Sequence, residues 1–327
     1  MTSESSPEII QWLVDTRKLW PEVAETKQLE TFPSSSRALS LLPETERDAV
    51  LKYVFARDAK MSLASHLLKH YVVSSKGHVP WKETMITRNA RTKPVYVDPS
   101  TGRQPVAFNV THQAGIVALI AVTGDASSGG DAGDIDVGID VVCTSERRTR
   151  DHSMITQTGD GWARFVDMHA DVFAPAEANY LKFVVPGQPA NLLSGTASQL
   201  MDYNLRSFYT LWCLREAYVK MTGEALLASW LGELEFRDFK APPIPNGAGS
   251  AVGSLEGDDE GVVRNHEIWF KGKLVDDANV CMRSLGPDYM VCTAVRTPAE
   301  KEKGLSWRMG PFKVITIDEI VKFAEEQ

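Results

Sequence analysis

Two side chains four residues apart carry the first chemical signal in this sequence. In SFYTLWCLREAYVKMTG (Ser207–Gly223), Phe208, Leu211, Trp212, Leu214, Ala217, Tyr218, Val219 and Met221 surround nearly the whole circumference at helical spacing. A helix apolar all round is a buried one. Glu216 and Lys220 nevertheless share one narrow arc of it. Burying a carboxylate and an ammonium costs several kcal/mol per ion unless each finds a partner or a bound ion. One reading is a mutual i,i+4 pair contributing a few tenths of a kcal/mol; the other is an ionic site completed from elsewhere in the chain. A second acid, Asp140, ends VGID (Val137–Asp140) within an apolar strand, where a carboxylate points to a bound cation or a hydrogen-bond network. Thr111 and His112 stand near the end of NVTHQ (Asn109–Gln113). His66 and His70 have the i,i+4 spacing of metal ligands, but no third acidic or cysteine ligand follows nearby. They therefore read as exposed or capping histidines near a helix end. Arg88, Arg91 and Lys93 form a basic cluster, which on composition alone is a solvated face.

The elements that must position these groups follow from local pattern. Ser207 is a suitable N-cap and Gly223 a suitable left-handed stop for the central helix. Val106–Gln113 alternates as a half-buried strand, Ala114–Gly115 permits a turn, and Ile116–Val122 is a fully buried strand, so Thr111 and His112 fall at a hairpin end. Ile135–Val142 is a further strand that delivers Asp140. Ile10–Val14 reads as a strand, and Glu22–Ser40 as mixed sequence ending in a Pro-Ser-rich turn. Leu41–Tyr71 is helical from near Pro43, dividing around Arg57–Lys60. Gly124–Asp134 is a flexible loop by composition, Thr144–Gly161 polar, charged and mobile, and Trp162–Lys182 helical with an interruption at Ala174–Pro175. Val185–Ser198 is another loop. Leu234–Phe239 is a strand, and Lys240–Gly261 is low-complexity linker that cannot pack a core. His266–Lys271, Val280–Leu285 and Tyr289–Val295 alternate as antiparallel strands with Gly286–Asp288 as a turn, and Val314–Ile317 precedes a short terminal helix.

Taken in order, VGIDVV and then WCLREAYVK resemble the Sfp-type 4′-phosphopantetheinyl transferases, whose signature is a G-[IV]-D strand followed by a W-x-x-[KR]-E-[SA]-x-x-K helix. NVTHQ is similar to that family's N-[IV]-[ST]-H segment, and FARDAKMSLASHLL to its amino-terminal half. The resemblance runs from Trp12 to Arg296 and is closest to the long eukaryotic members, particularly the fungal ones. It implies an α+β fold of two similar halves related by a pseudo-two-fold axis, with coenzyme A between them. The halves would be residues 1–136 and 137–327, the second carrying a flexible insert at 240–261. It also implies transfer of the 4′-phosphopantetheine arm of coenzyme A to a serine of an acyl or peptidyl carrier protein, with Mg2+ and release of 3′,5′-adenosine bisphosphate. On that resemblance Asp140 and Glu216 are metal ligands, Lys220 contacts phosphate, Glu216 takes the serine proton, and His112 completes the catalytic set. Asn109, Val110, Thr111, His112, Gln113 and Ala114 would hold the nucleotide end, with Arg88 on its phosphate. Arg47 aligns with another nucleotide-binding arginine only after a two-residue shift. Two positions depart from the pattern. Val142 stands where many bacterial members have a third acidic ligand, which leaves that coordination position to water. Arg215 replaces a frequent lysine and keeps its charge.

Bulk properties bound the remaining choices. With 327 residues, 43% hydrophobic and 24% charged, the chain has the composition of a soluble globular protein with room for two domains. A net charge of −8 argues against a general binder of nucleic acid or anionic membrane, so an anionic substrate needs a local basic pocket. The four cysteines are scattered without a C-x-x-C pair and fit buried reduced thiols. MTSESSPEII lacks the pattern of a signal peptide, and the apolar run Ile116–Val122 is too short to span a bilayer, so a cytoplasmic protein is expected. Internal pseudo-symmetry makes a monomer the expectation. The expected partners are apo carrier proteins of fatty acid synthase, polyketide synthases, nonribosomal peptide synthetases and aminoadipate reductase. The competing readings are a catalytically inactive coenzyme A-binding or carrier-docking protein and a different coenzyme A enzyme such as an acyltransferase. The intact set His112, Asp140, Glu216 and Lys220 argues against the first.

Overall fold

The structure, a computed structural model, describes residues 7–124, 130–157, 159–187, 195–224, 228–244, 259 and 261–327. The chain starts with strand β1 (Ile9–Asp15) and helices α1 (Pro33–Ser40), α2 (Glu44–Leu51) and the 22-residue α3 (Ala56–Gly77). A short ribbon, β2 (Thr87–Arg88) and β3 (Pro94–Val95), leads into the hairpin β4 (Val106–Gln113) and β5 (Ile116–Thr123). Strand β6 (Asp136–Cys143) is followed by α4 (Arg148–Thr156), α5 (Gly161–Asp167), α6 (Pro175–Asn179) and the 26-residue α7 (Ala197–Thr222). The remainder supplies β7 (Leu234–Arg237), β8 (Val262–Val263), β9 (Glu267–Phe270), β10 (Lys273–Leu274), the hairpin β11 (Ala278–Leu285) and β12 (Tyr289–Arg296), then α8 (Lys301–Ser306), β13 (Lys313–Val314) and α9 (Ile317–Glu325). No described helix is long and apolar enough to cross a membrane.

This is a mixed α+β architecture built around two four-stranded sheets. One runs β13-β1-β5-β4, the other β6-β12-β11-β8, and a small sheet β10-β9-β7 stands beside the second. The strands are mostly buried on both faces, which is why they read as continuous apolar runs rather than strict alternations. On β5, Val117, Leu119 and Ala121 turn to the core beneath α3, while Ile116, Ala118, Ile120 and Val122 turn to a core between the sheets. On β6, Val137, Ile139 and Val141 join that shared core, and Val142 faces the third core, beneath α7. The layers are therefore α3, sheet, sheet, α7.

The edge strands β4 and β6 meet without a backbone ladder, and side chains of alternate β4 residues bridge them. Asn109 Oδ1 accepts from the Ile139 N–H at 3.1 Å, Thr111 Oγ1 donates to Asp140 Oδ1 at 3.2 Å, and Gln113 Oε1 accepts from the Cys143 N–H at 3.1 Å. The two-residue spacing places all three on one face of the strand. Ala114 and Gly115, at φ 48° and 89°, close the β4–β5 hairpin with the doubly left-handed turn that suits strand twist.

Several elements differ from expectation for identifiable reasons. The central helix begins at Ala197, capped by Thr196, whose Oγ1 accepts from the Gln199 N–H at 3.3 Å. Ser207 is interior, and its hydroxyl donates to the Tyr203 carbonyl at 3.1 Å. The first turns lie at the surface and so carry no apolar stripe. Pro33–Ser40 is a helix with Pro33 in its first turn rather than a turn. The break between α2 and α3 falls at Lys52–Phe55, before Arg57–Lys60. Arg148–Thr156 is helical where polar, charged composition suggested mobile chain.

Of the 240–261 linker, residues 245–258 and 260 lie outside the described residues, as does 125–129 of the preceding loop. The linker's start is anchored: the Pro242 carbonyl accepts from Arg206 Nη2 at 3.2 Å and Ser284 Oγ at 3.1 Å. The carboxy terminus returns to the first half, where β13 pairs in parallel with β1, and Ile317, Ile320 and Val321 of α9 pack in the core under α3.

Candidate active site

At the seam between the sheets, β6 brings Asp140 under α7. Its side chain is almost fully buried, and Oδ1 accepts from Lys220 Nζ at 2.6 Å as well as from Thr111. Lys220 Nζ also donates to Thr111 Oγ1 at 3.3 Å. Three elements, β4, β6 and α7, thus contribute one residue each to a closed polar triangle. The helix can come this close because Gly138 has no side chain: a Cβ there would lie 2.1 Å from the Ala217 carbonyl oxygen. The i,i+4 pair between Glu216 and Lys220 is not formed, since Lys220 is taken by Asp140. Burial opposes the charge on Lys220, but Asp140 and Glu216 outweigh it and raise its pKa above the ordinary lysine value.

Glu216 makes no hydrogen bond or ion pair among the described residues. Burial raises its pKa, Lys220 pulls the other way, and the charge of Asp140 raises it further. Two carboxylates whose charges oppose each other, one without a partner, are the kind of donors a hard divalent cation takes, with water and phosphate oxygen in the rest of its shell. These residues fit Mg2+ as a two-carboxylate site. Val142 is buried in the core beneath α7 and donates nothing, and among the described residues no three His, Cys, Asp or Glu side chains form a metal cluster.

His112 lies on the opposite face of β4, toward α3. Partial burial and the charges of Lys220 and Lys69 hold its pKa below the usual histidine value, against the opposing charge of Asp58. Arg88 is exposed and donates to the Thr92 carbonyl at 2.6 Å. Arg91 is exposed as well and Lys93 half-buried, yet both also make contacts across the fold. Arg91 Nη1 donates to the Thr222 carbonyl at 2.9 Å, and Lys93 Nζ donates to the Val137 and Met221 carbonyls at 2.9 and 3.3 Å. Both cations therefore neutralise the carboxy-terminal end of α7, where a helix presents unpaired carbonyls and negative potential.

Other expected residues are placed differently. Asn109 and Gln113 spend their side-chain oxygens on the β6 backbone, and Gln113 Nε2 donates to Glu146 at 2.7 Å. Val110 packs toward the α3 core, and the Ala114 carbonyl accepts from the Tyr289 hydroxyl at 2.6 Å. Arg47 is not brought to the seam; it lines a separate groove of about 370 Å3 with Glu30, Glu44 and Asp48. His66 and His70 are neither exposed nor capping: both approach Glu46 Oε2, at 3.0 and 2.8 Å. Arg215 is not a site residue. It is 1% exposed and donates to Glu177 Oε2 and the Leu234 and Leu231 carbonyls at 2.7, 2.7 and 2.5 Å. Sequence reasoning missed Glu177, whose signal was an acid within an otherwise buried helical segment. A cleft of about 660 Å3 opens at the far end of the seam, between Phe55–Met61, Ala114–Gly115, Cys143 and Tyr289.

Comparison with known proteins shows the family. A model of the amino-terminal part of 4′-phosphopantetheinyl transferase matches residues 31–124, and the 4′-phosphopantetheinyl transferase superfamily model matches 136–262. The chain is 45% identical over 324 residues to 4′-phosphopantetheinyl transferase 1 of Fusarium mangiferae, covering 99% of this chain and 98% of that one. It is 35% identical over 308 residues to the 4′-phosphopantetheinyl transferase NpgA of Emericella nidulans, covering 90% and 84%. A shorter match of 107 residues, 35% identical and covering 32% and 31%, joins it to the mouse L-aminoadipate-semialdehyde dehydrogenase-phosphopantetheinyl transferase. The chain belongs to the 4′-phosphopantetheinyl transferase superfamily and is an enzyme of that kind.

Proposed function

We propose that this enzyme moves the 4′-phosphopantetheine arm of coenzyme A onto a serine of acyl and peptidyl carrier proteins. The serine oxygen bonds to the β-phosphorus, the bond from that phosphorus to the bridging oxygen breaks, and 3′,5′-adenosine bisphosphate leaves. The observation that carries the reading is the Asp140–Lys220–Thr111 triangle with Glu216 unpaired beside it. Lys220 offers its ammonium to the phosphates, and its tie to Asp140 fixes where that charge stands. Glu216 accepts the serine proton, a role suited to a carboxylate whose pKa burial has raised. Asp140 and Glu216 would hold Mg2+, which supplies charge neutralisation on the pyrophosphate. Thr111, His112 and Arg88 hold the nucleotide end of the coenzyme, which lies between two halves, 1–136 and 137–327, of pseudo-two-fold arrangement.

The substrates are carrier proteins of fatty acid, polyketide and nonribosomal peptide assembly and of aminoadipate reductase, the last supported by the mammalian relative's name. Four buried free cysteines suit a reducing cytoplasm, and we take the working unit to be a monomer. The test is the mass shift of an apo carrier incubated with enzyme, coenzyme A and Mg2+. Glu216→Gln should lower transfer by about two orders of magnitude, the scale of lost general-base catalysis, while melting temperature holds. A folded Glu216→Gln enzyme working at the wild-type rate would end the proposal.

A further inference from the structure

The cleft of about 660 Å3 at the far end of the seam has an exposed apolar rim that the chemistry above does not use. Tyr53, Val54 and Phe55, between α2 and α3, are 41%, 83% and 58% exposed. Among the described residues no other three consecutive large apolar side chains are exposed. Their backbone is held in place. Phe55 bridges to Glu25 in antiparallel register, and its carbonyl accepts from the Asp58 and Ala59 N–H groups at 3.0 and 3.1 Å. Arg57 lies over the Phe55 ring at 5.2 Å. An apolar run fixed facing water marks a surface for a partner.

Position and charge narrow the partner. Phe55 lines one wall of the cleft, and the chain leaving β6 through Cys143 and Glu146 lines the other. Tyr289 stands between them, its hydroxyl on the Ala114 carbonyl at 2.6 Å and Arg17 over its ring at 5.4 Å. Gln113 joins β4 to Cys143 and follows Thr111 by two residues, roughly 7 Å along a strand. A partner on the cleft mouth therefore stands beside the Asp140–Lys220–Thr111 triangle. Arg91 and Lys93 occupy the opposite end of the seam, at Thr222 and Val137. The two segments that bracket the mouth, KYVFAR (Lys52–Arg57) and ERRTR (Glu146–Arg150), carry five exposed cations and one carboxylate in a chain of net charge −8. Arg57, Arg147 and Arg148 also have acidic neighbours, at 3.8, 3.9 and 2.7 Å. An apolar centre with cationic borders complements an apolar helix face bordered by carboxylates. A symmetric contact with a second copy would set these cations against themselves.

We infer that this cleft mouth docks the apo carrier protein, seating an apolar helix face on Tyr53, Val54 and Phe55 and the carboxylates beside it on the Arg147–Arg150 side. The inference rests on the proposed function. Transfer rates across carrier concentration, at saturating coenzyme A and Mg2+, test it in wild type, Val54→Ser/Phe55→Ser and Arg150→Glu. Each variant should melt as wild type does and bind coenzyme A with wild-type affinity. Each should raise the carrier KM about tenfold or more with kcat held. Among single reversals of the carrier's surface carboxylates to lysine, one should lower KM for Arg150→Glu while raising it for wild type. An unchanged carrier KM in either variant overturns the assignment, and so does a fall in kcat at constant KM. Should the double variant melt lower, Arg150→Glu and its carrier reversal decide, and the absence of any compensating reversal overturns it. A wild type that sediments as a dimer, beside a monomeric Val54→Ser/Phe55→Ser variant of unchanged carrier KM, would give the surface to self-association instead. Wild type that modifies no carrier would refute the function on which the assignment rests, and the assignment with it.

Discussion

Adding one methyl group at Gly138 should disable this enzyme. A Cβ there would stand 2.1 Å from the Ala217 oxygen, 2.3 Å from the Met221 nitrogen and 2.8 Å from the Met221 Cα. All three are main-chain atoms of α7, so no rotamer change relieves the clash. Such contacts are essentially never shorter than 3.0 Å, and the helix must back away from β6 by about 1 Å. Overpacking on this scale costs about 1–3 kcal/mol, a fall of several degrees in melting temperature. Function should suffer more. Ala217 and Met221 each directly follow a site residue, so the retreat carries Glu216 and Lys220 off Asp140 and breaks a contact of 2.6 Å. A misplacement of about 1 Å can cost about a hundredfold in rate. The assay is transfer to an apo carrier, followed by mass shift, beside thermal melting of Gly138→Ala. A variant that melts like wild type and transfers at its rate would refute the claim that close approach of α7 to β6 positions the site.

Two further outcomes concern stability. Arg215→Met leaves Glu177 buried without its partner and should cost about 3–5 kcal/mol in chemical denaturation. Coenzyme A affinity of the folded fraction should be unchanged, since the pair lies outside the site; a weakened affinity would place Arg215 in it. Lys93, held by burial at about 8 against an ordinary 10.5, with Asp136 opposing and Arg91 and Arg296 assisting, gives a pH signature. Between those values the unfolded chain binds the proton and the folded one does not, so stability from Lys93 rises with pH through that window. The wild-type minus Lys93→Met difference in unfolding free energy should be flat below about 8 and climb toward 10.5. A flat difference throughout would show an unperturbed lysine.

Local chemistry made much of the framework legible. The β4–β5 hairpin, its Ala114–Gly115 turn, β6, the β11–β12 hairpin and the Gly223 stop all lie where apolar runs and turn residues put them. What local pattern cannot carry is partner choice across the fold. Spacing alone allowed Glu216 to pair with Lys220; tertiary packing gave Lys220 to Asp140 instead. His66 and His70 had the spacing of metal ligands, yet both approach Glu46, which reaches them from another helix. Asn109 and Gln113 looked like ligand-facing residues, but two sheet edges that do not form a ladder needed their side chains as bridges. The surface turns of α7 and the helices α1 and α4 escaped because little of their length is buried.

The return of the carboxy terminus has a consequence for how the molecule is made. Trp12 and Leu13 pair with Lys313 and Val314, so strand β1 waits on the ribosome for β13, which is made long after it, before its outer edge is covered. Until then β1 presents unpaired backbone groups, and the core under α3 lacks Ile315, Ile317, Ile320 and Val321. An open edge beside exposed apolar surface invites association with other chains. The nascent first half is therefore the aggregation-sensitive species, and closure is a late, long-range step that sets the pace of maturation. A chain released before residue 313 would keep every residue of the site and still lack the strand that closes its first sheet.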